Sequence, residues 1–268
     1  MNTPTTSEIR AHYDRLSIFY RWLWGEHIHH GLWRDSESPR QAQVALVEEL
    51  ARCAAVPFGA RVLDVGCGLG ASAHWLAQNR GCSVVGITIS TVQKRAAERR
   101  ARSLGLKHRM EFLVKDANKL DFGSESFDVV WNIECSEHLN DKAQFIRDSA
   151  RVLRHGGALA LCAWVKAADS KLLPRICSGM LCPALATLAD YHRWMNESGL
   201  ARISSNDVTA HVEKTWHICR QTIDRPLVRI CLPFVSRQTR RFLATFETMK
   251  QAYDDGALRY CIFSASKP

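Results

Sequence analysis

Four stretches of this 268-residue chain place polar side chains where an apolar run stops. The first is Arg61-Val-Leu-Asp-Val-Gly-Cys-Gly-Leu-Gly-Ala71, an apolar segment carrying Asp64 and breaking into Gly66, Gly68 and Gly70. Glycines at that spacing let a backbone turn tightly and pass close to a ligand with no Cβ in the way. The second run, Ser83-Val-Val-Gly-Ile-Thr-Ile-Ser90, ends on Thr88 and is followed by Thr91-Val92-Gln93; the third, Met110 to Ala117, ends on Asp116; the fourth, Phe127 to Ile133, carries Asn132 near its end and is followed by Glu134, Glu137 and His138. Polar groups gathered at the carboxyl ends of parallel strands are where open α/β sheets bind ligands. A dinucleotide site would space its glycines G-x-G-x-x-G and close the second strand on an acid that holds a ribose. Here the spacing is G-x-G-x-G and the second strand closes Gly86-Ile-Thr88, which turns the reading away from a dehydrogenase.

The elements that must position these residues follow from periodicity. The apolar residues Ile9, Tyr13, Leu16, Phe19, Tyr20, Leu23 and Trp24 recur at helical spacing, and so do Ala42, Val44, Leu46, Val47 and Leu50 between Pro39 and Cys53. Between them lies a loop rich in His and Trp, Gly25-Glu-His-Ile-His-His-Gly-Leu-Trp33. A helix from about Asp141 to Leu153 is expected to stop at Gly156-Gly157, ahead of a fifth strand. Residues 166–189 are apolar, contain prolines and lack clean amphipathic periodicity, which suggests a cap over the strand ends or a plain packing insertion. A short helix over 191–198, a sixth strand over 201–208, helices over 210–221 and 237–253 and a closing strand over 257–265 complete the pattern. The expected fold is α/β, a Rossmann-like, mostly parallel seven-stranded sheet. It divides into an N-terminal helical lid (1–58), a binding core (59–165), a cap insertion (166–200) and a remainder with a helical acceptor-side arm (201–268).

Composition narrows the function classes. No apolar stretch approaches the ~20 residues of a membrane helix, and the first residues have neither the basic flank nor the apolar run of a signal peptide, so a cytoplasmic protein is expected. Ten cysteines are scattered with no C-x-x-C pair, and the His27, His29 and His30 cluster has no Cys or carboxylate partner at metal-ligand spacing, so no metal is expected. The net charge of +9 raises nucleic acid or anionic membrane as partners. Its densest run, Lys94 to Arg102, most simply forms the solvated face of a helix; no nucleic-acid module is visible, and transient membrane contact stays open. The oligomeric state is not readable.

The chain resembles the class I S-adenosylmethionine-dependent methyltransferases. Asp64-Val-Gly-Cys-Gly-Leu-Gly70 is similar to their first motif, Lys115-Asp-Ala117 to their adenine-contacting motif, and Arg154-His-Gly-Gly157 before Ala158-Leu-Ala-Leu161 to the turn entering their fifth strand. The resemblance implies S-adenosylmethionine as cofactor, with Asp64, Gly66, Cys67 and Gly68 at its methionine part, Asp116 and Ala117 at the adenine, and Asn132 near the methionine end. Gly86-Ile-Thr-Ile-Ser90 followed by Gln93 is similar to the subgroup with sterol C-methyltransferases, tocopherol methyltransferases and cyclopropane fatty-acid synthases, which implies that Thr88 and Gln93 hold the ribose. Tyr13 to Tyr20 with Trp24 to Trp33, and Ile133-Glu-Cys-Ser-Glu-His-Leu139, resemble the tocopherol type more closely. Deprotonating a hydroxyl or phenol needs a base, and His138 beside the fourth strand end is the candidate. Distantly similar small-molecule methyltransferases imply Tyr13 as its latch, with Tyr20 beside the methyl group, Glu134 in the acceptor site or steadying a cation, and His29 reaching the cofactor carboxylate. Helix capping by Glu137 and His138 and packing by Tyr13 and Tyr20 are the plain alternatives. The acceptor implied is a small, largely apolar natural product, phenolic, indolic or prenylated, methylated at carbon or oxygen. An alkene accepting methyl through a carbocation, a small amine and a noncatalytic cofactor-binding module are the alternatives.

Overall fold

The computed structural model describes residues 3–23, 25–231 and 234–268, with the side chains at 16, 18–23, 227 and 231 outside the description. Helix α1 (Thr6–Leu23) and helix α2 (Pro39–Cys53) precede the sheet. Ser38 starts α2 with a reciprocal capping box to Gln41, and Pro39 takes the first helical turn, where its missing N–H costs nothing. Strand β1 (Arg61–Val65), α3 (Ala71–Arg80), β2 (Ser83–Thr88), α4 (Thr91–Ser103), β3 (Met110–Val114) and β4 (Phe127–Ile133) then alternate, followed by α5 (Lys142–Val152) and β5 (Leu153–Lys166). The chain closes with α6 (Leu173–Met180), α7 (Leu188–Glu197), β6 (Ala201–Asp207), α8 (Thr209–Val212), α9 (Lys214–Ile223), α10 (Pro226–Cys231), α11 (Arg237–Asp254) and β7 (Leu258–Ser266).

The sheet has seven strands in the order β3-β2-β1-β4-β5-β7-β6, parallel from β3 to β5, with β7 antiparallel to both its neighbours. The strand order reverses between β1 and β4, and that crevice is where such sheets bind ligands. Alternation along each strand feeds two cores. Val62, Val129, Trp131, Ala160, Cys162, Tyr260 and Ile262 pack with α2, α3, α4 and α11, while Leu63, Val65, Val130, Leu161, Cys261 and Phe263 pack with α5 and α7.

Three expectations need correction. Helix α5 ends at Val152, and Leu153 already begins β5, so Gly156 and Gly157 lie inside a strand instead of stopping a helix. The strand needs them because its pairing with β4 shifts register between Phe127 and Val129. Gly156 has φ +77°, and a Cβ on Gly157 would sit 2.9 Å from the carbonyl oxygens of Arg154 and Asp128. The segment 166–189 contains an amphipathic helix, α6, which buries Ile176, Gly179 and Met180 against α11. The helix expected over 210–221 is two, α8 and α9. In α2, Gln43 is buried and Val44 only half so; the Gln43 amide donates to the His27 carbonyl at 3.0 Å and anchors the histidine-rich loop. The basic run forms the outer face of α4, with Ala97 and Ala101 buried and Lys94 paired to Glu98. Among the described residues no helix is long and apolar enough to cross a membrane.

Candidate functional site

Two cavities meet over the carboxyl ends of β1, β2 and β4. The more polar one is lined by Gly66, Gly68, Thr88, Gln93, Asp116 and Ala117, which the strand-end motifs deliver together, among isoleucines such as Ile9 and Ile87. Thr88 Oγ1 donates to Gln93 Oε1 at 2.7 Å and accepts from the Ser90 N–H at 3.1 Å. Ser90 caps α4 by accepting from the Gln93 N–H, which fixes where that glutamine begins. Asp116 Oδ1 accepts from the backbone and side-chain nitrogens of Asn118 at 2.9 and 2.8 Å, and Oδ2 accepts from Thr6 Oγ1 at 3.0 Å. Thr6 belongs to α1, so the first helix closes this cavity from above. It also lies along α4, where Ser90 Oγ bonds Asp14.

Next to this cavity, Asp64, Cys67 and His29 line a smaller recess with Gly66 and Gly68. Gly66, Gly68 and Gly70 all have positive φ, which carries the chain through this turn. Asp64 is buried, and its Oδ2 has no hydrogen-bond partner among the described residues. Burial pushes the Asp64 carboxyl up to about 7. A buried carboxylate without a partner costs more than an ordinary unpaired polar group, for which ~1–3 kcal/mol is usual. An ammonium-bearing ligand removes that cost. The residues therefore fit S-adenosylmethionine: an orphaned acid for the amino group and paired amide, hydroxyl and carboxylate groups farther along. Asn132 is placed differently from the expectation. It is fully buried, its Nδ2 donates to the Val65 carbonyl at 3.0 Å and its Oδ1 accepts from the Ser136 N–H at 3.4 Å, so its side chain pins β4 to β1. His29 is spent inside its own loop. Its Nδ1–H donates to the His30 carbonyl at 2.7 Å, leaving Nε2 to accept from His27 Nδ1 at 2.9 Å.

The second cavity is apolar, about 120 Å³, comparable to cavities that admit a single benzene ring. Trp216 and Cys219 of α9, Phe242 and Phe246 of α11, Met180 of α6 and Trp164 of β5 form one side of its wall. Tyr13, Glu134 and His138 line both cavities and mark their junction. The Tyr13 hydroxyl lies 2.9 Å from His138 Nε2. His138 Nδ1 lies 3.2 Å from the Leu181 carbonyl, which can only accept, so Nδ1 carries the hydrogen and Nε2 accepts from Tyr13. Burial holds the His138 imidazole below its ordinary pKa, so the neutral ring needed for this bond prevails at neutral pH. The Tyr20 side chain lies outside the described residues.

Glu134 has φ +53°, an uncommon conformation for a residue with a Cβ, costing ~1–3 kcal/mol and typical of sites where a side chain must be aimed. Its Oε1 accepts from the His30 N–H at 2.7 Å, His30 Nδ1 at 2.9 Å and the Tyr260 hydroxyl at 2.8 Å. Burial raises the Glu134 carboxyl, but His30 and His29 outweigh it and hold the group below the usual carboxylate range. Glu137, three residues on, shows the opposite result: burial and the nearby Glu134 charge push it up to about 8, and it accepts from the Trp164 N–H at 2.7 Å. Two neighbouring acids are thus driven in opposite directions by their surroundings. Sequence reasoning missed His30, Thr6 and the wall residues Phe242 and Phe246. The His-rich loop stands out in the sequence as a whole, but adjacent loop histidines carry no sign of which one faces the fourth strand. Among the described residues no group of three or more His, Cys, Asp and Glu side chains converges as metal ligands do.

A family model described as a methyltransferase domain matches residues 63–161. Over 276 residues the chain is 32% identical to the 27-O-demethylrifamycin SV methyltransferase of Amycolatopsis mediterranei, covering 100% of both chains. It is 28% identical over 284 residues to the chloroplastic tocopherol O-methyltransferase of Arabidopsis thaliana, covering 97% of this chain and 82% of that one. Among solved structures, the cyclase SpnF superposes with a TM-score of 0.87 at 25% identity, covering 100% of this chain and 98% of that one.

Proposed function

This chain belongs to the class I S-adenosylmethionine-dependent methyltransferases, and from that premise we propose that it methylates a hydroxyl oxygen of a small, largely apolar natural product. The observation that carries this reading is the junction at Tyr13, Glu134 and His138, where a polar cavity suited to the cofactor opens into an apolar one of about the size of an aromatic ring. Bound in the polar cavity, S-adenosylmethionine supplies a methyl carbon made electrophilic by a sulfonium. Asp64 accepts from its ammonium group, Thr88 and Gln93 hold the ribose, and Asp116 with the Ala117 backbone holds the adenine. Residues 1–58 act as a lid: Thr6 closes over Asp116, and Tyr13 closes on His138. Alignment and exclusion of water are the main demands of methyl transfer, and a lid hydrogen-bonded across the junction meets both. Oxygen is favoured because the relatives act, by name, on tocopherol and on a 27-O-demethylated rifamycin.

The second reading, methylation of an alkene carbon, draws on Trp164, Trp216 and ionised Glu134 around the same cavity, a set that would steady a carbocation. Incubating the purified protein with methyl-labelled S-adenosylmethionine and a panel of hydroquinones, phenols, polyketide alcohols, indoles, prenyl diphosphates and amines tests both. Label on oxygen is expected. Label on a former alkene carbon replaces this reading with the second, and label on nitrogen overturns both.

A further inference from the structure

The apolar cavity has one polar corner that the reading above does not use. His30 lines it, is 1% exposed, and has its Nδ1 2.9 Å from Glu134 Oε1. A carboxylate oxygen only accepts, so Nδ1 carries the hydrogen and, in the neutral ring, Nε2 is left as an acceptor. That Nε2 is buried with no partner among the described residues. The indole N–H groups of Trp164 and Trp216, on the same wall, are also buried and unpartnered, and their rings lie 6.0 and 5.0 Å from the His30 ring between centroids, edge to face. Buried polar atoms are rarely left unpaired, and an acceptor sharing one cavity wall with donors is the complement of a group that both donates and accepts, a hydroxyl. A carbonyl oxygen would satisfy an indole N–H and leave His30 unpaired; an ether would do the same.

His138 is less free. Its Nε2 already holds the Tyr13 hydroxyl and its Nδ1 the Leu181 carbonyl, so it could take a proton from an acceptor only by releasing the lid. We propose that His30 binds and deprotonates the acceptor hydroxyl, with Glu134 as its positioning residue, and that the acceptor is therefore a phenol or hydroquinone with an otherwise apolar body. The inference rests on the oxygen-methylation reading and deepens it. In the step, the acceptor O–H bond breaks and its proton passes to Nε2 of His30. The oxygen electron pair forms the new O–CH3 bond while the S–CH3 pair stays on sulfur. Glu134 carries the charge opposite the resulting imidazolium until the proton leaves to water. An imidazole is matched to a phenol, whose acidity is near that of a tyrosine side chain, and not to the far weaker acid of an aliphatic alcohol.

The test uses 4-nitrophenol, whose phenolate absorbs in the visible, bound to full-length enzyme saturated with S-adenosylhomocysteine at a pH where the free probe is protonated. Wild type is expected to show bound phenolate, as is His138→Gln; His30→Gln should bind the probe in its protonated form, and Glu134→Gln should show a reduced phenolate fraction. With a phenol that the enzyme turns over, His30→Gln should lose roughly 100-fold or more in kcat while binding S-adenosylhomocysteine as wild type does, and Glu134→Gln should lose about 10-fold. Protonated probe on wild type, or phenolate and turnover kept in His30→Gln, overturns the proposal while leaving oxygen methylation standing. If no phenol is methylated and an alkene or amine is, the underlying reading falls and this proposal with it. The wild-type spectrum needs no variant to fold.

Discussion

The two cavities that meet at Tyr13, Glu134 and His138 are built in opposite ways. On the polar side the pairings are mostly short in sequence: Thr88 with Gln93 five residues on, Gln93 with Ser90 three back, and Asp116 with Asn118 two on. On the apolar side Tyr13 meets His138 across 125 positions, His30 meets Glu134 across 104 and Tyr260 meets Glu134 across 126. A site made of strand ends and the turns after them is placed by local geometry once the sheet forms. A site made of a loop and of helices from both ends of the chain exists only when the whole molecule is packed. The polar cavity should accordingly tolerate disturbance of α6 and α11, and the apolar one should not.

Four experiments press on that contrast, in falling order of expected effect. Asp64→Asn removes the buried acid without touching the acceptor wall; by titration calorimetry, affinity for S-adenosylhomocysteine should fall roughly 30- to 1,000-fold, the cost of truncating one partner of a buried charge pair. The same variant has a pH signature in the ligand-free protein. Because the folded carboxyl is raised to about 7 from an ordinary 3.8, the folded state binds the extra proton between those values. Stability should therefore fall as pH rises from 3.8 to 7 and then level off, apart from a further decline toward 8 from Glu137. Denaturant titrations across that range should lose the Asp64 share of the decline in Asp64→Asn. A variant with an unchanged profile would show that this carboxyl finds a partner in solution.

Gly179→Ala attacks the other region alone. Its Cβ would lie 1.8 Å from Thr245 Oγ1, where α6 crosses α11, and such overpacking costs ~1–3 kcal/mol. Thermal unfolding should come earlier and KM for the acceptor should rise, with cofactor affinity near wild type and partial recovery when Thr245→Ala is added. Equal loss on both sides would erase the distinction. Tyr13→Phe probes the junction: losing a bond worth ~0.5–1.5 kcal/mol should lower kcat about 2- to 10-fold with little change in cofactor affinity. Thr6→Val, at the lid's other contact, removes one partly buried bond to Asp116 and should weaken cofactor binding by a few-fold at most.

Legibility followed the same division. The strand-end residues could be read as one cluster because each lies a few residues from a turn, and the structure brings Asp64, Gly66, Gly68, Thr88, Gln93, Asp116 and Ala117 to adjoining cavities. Asn132 sits at the right strand end, yet a side chain there can face the ligand or the neighbouring strand, and spacing does not say which. Gly156 and Gly157 read as a helix stop because a glycine pair after a periodic run ordinarily is one; only the irregular pairing of β4 with β5 gives them a strand position. Trp216 and Cys219 were legible as one face of a helix, but a face that packs on a core and a face that walls a cavity have the same period.

What the sequence determined by itself is the alternation of strands and helices, the glycine turn after β1 and the chemical character of each strand end, because these depend on backbone sterics and on periods of two and 3.6 residues. Tertiary structure decided which of three loop histidines meets Glu134, that the Glu134 carboxyl is held down while that of Glu137 is pushed up, and where a ring-sized apolar space remains. Those outcomes depend on burial and on partners a hundred residues away, and burial is a property of the packed chain, not of any segment of it.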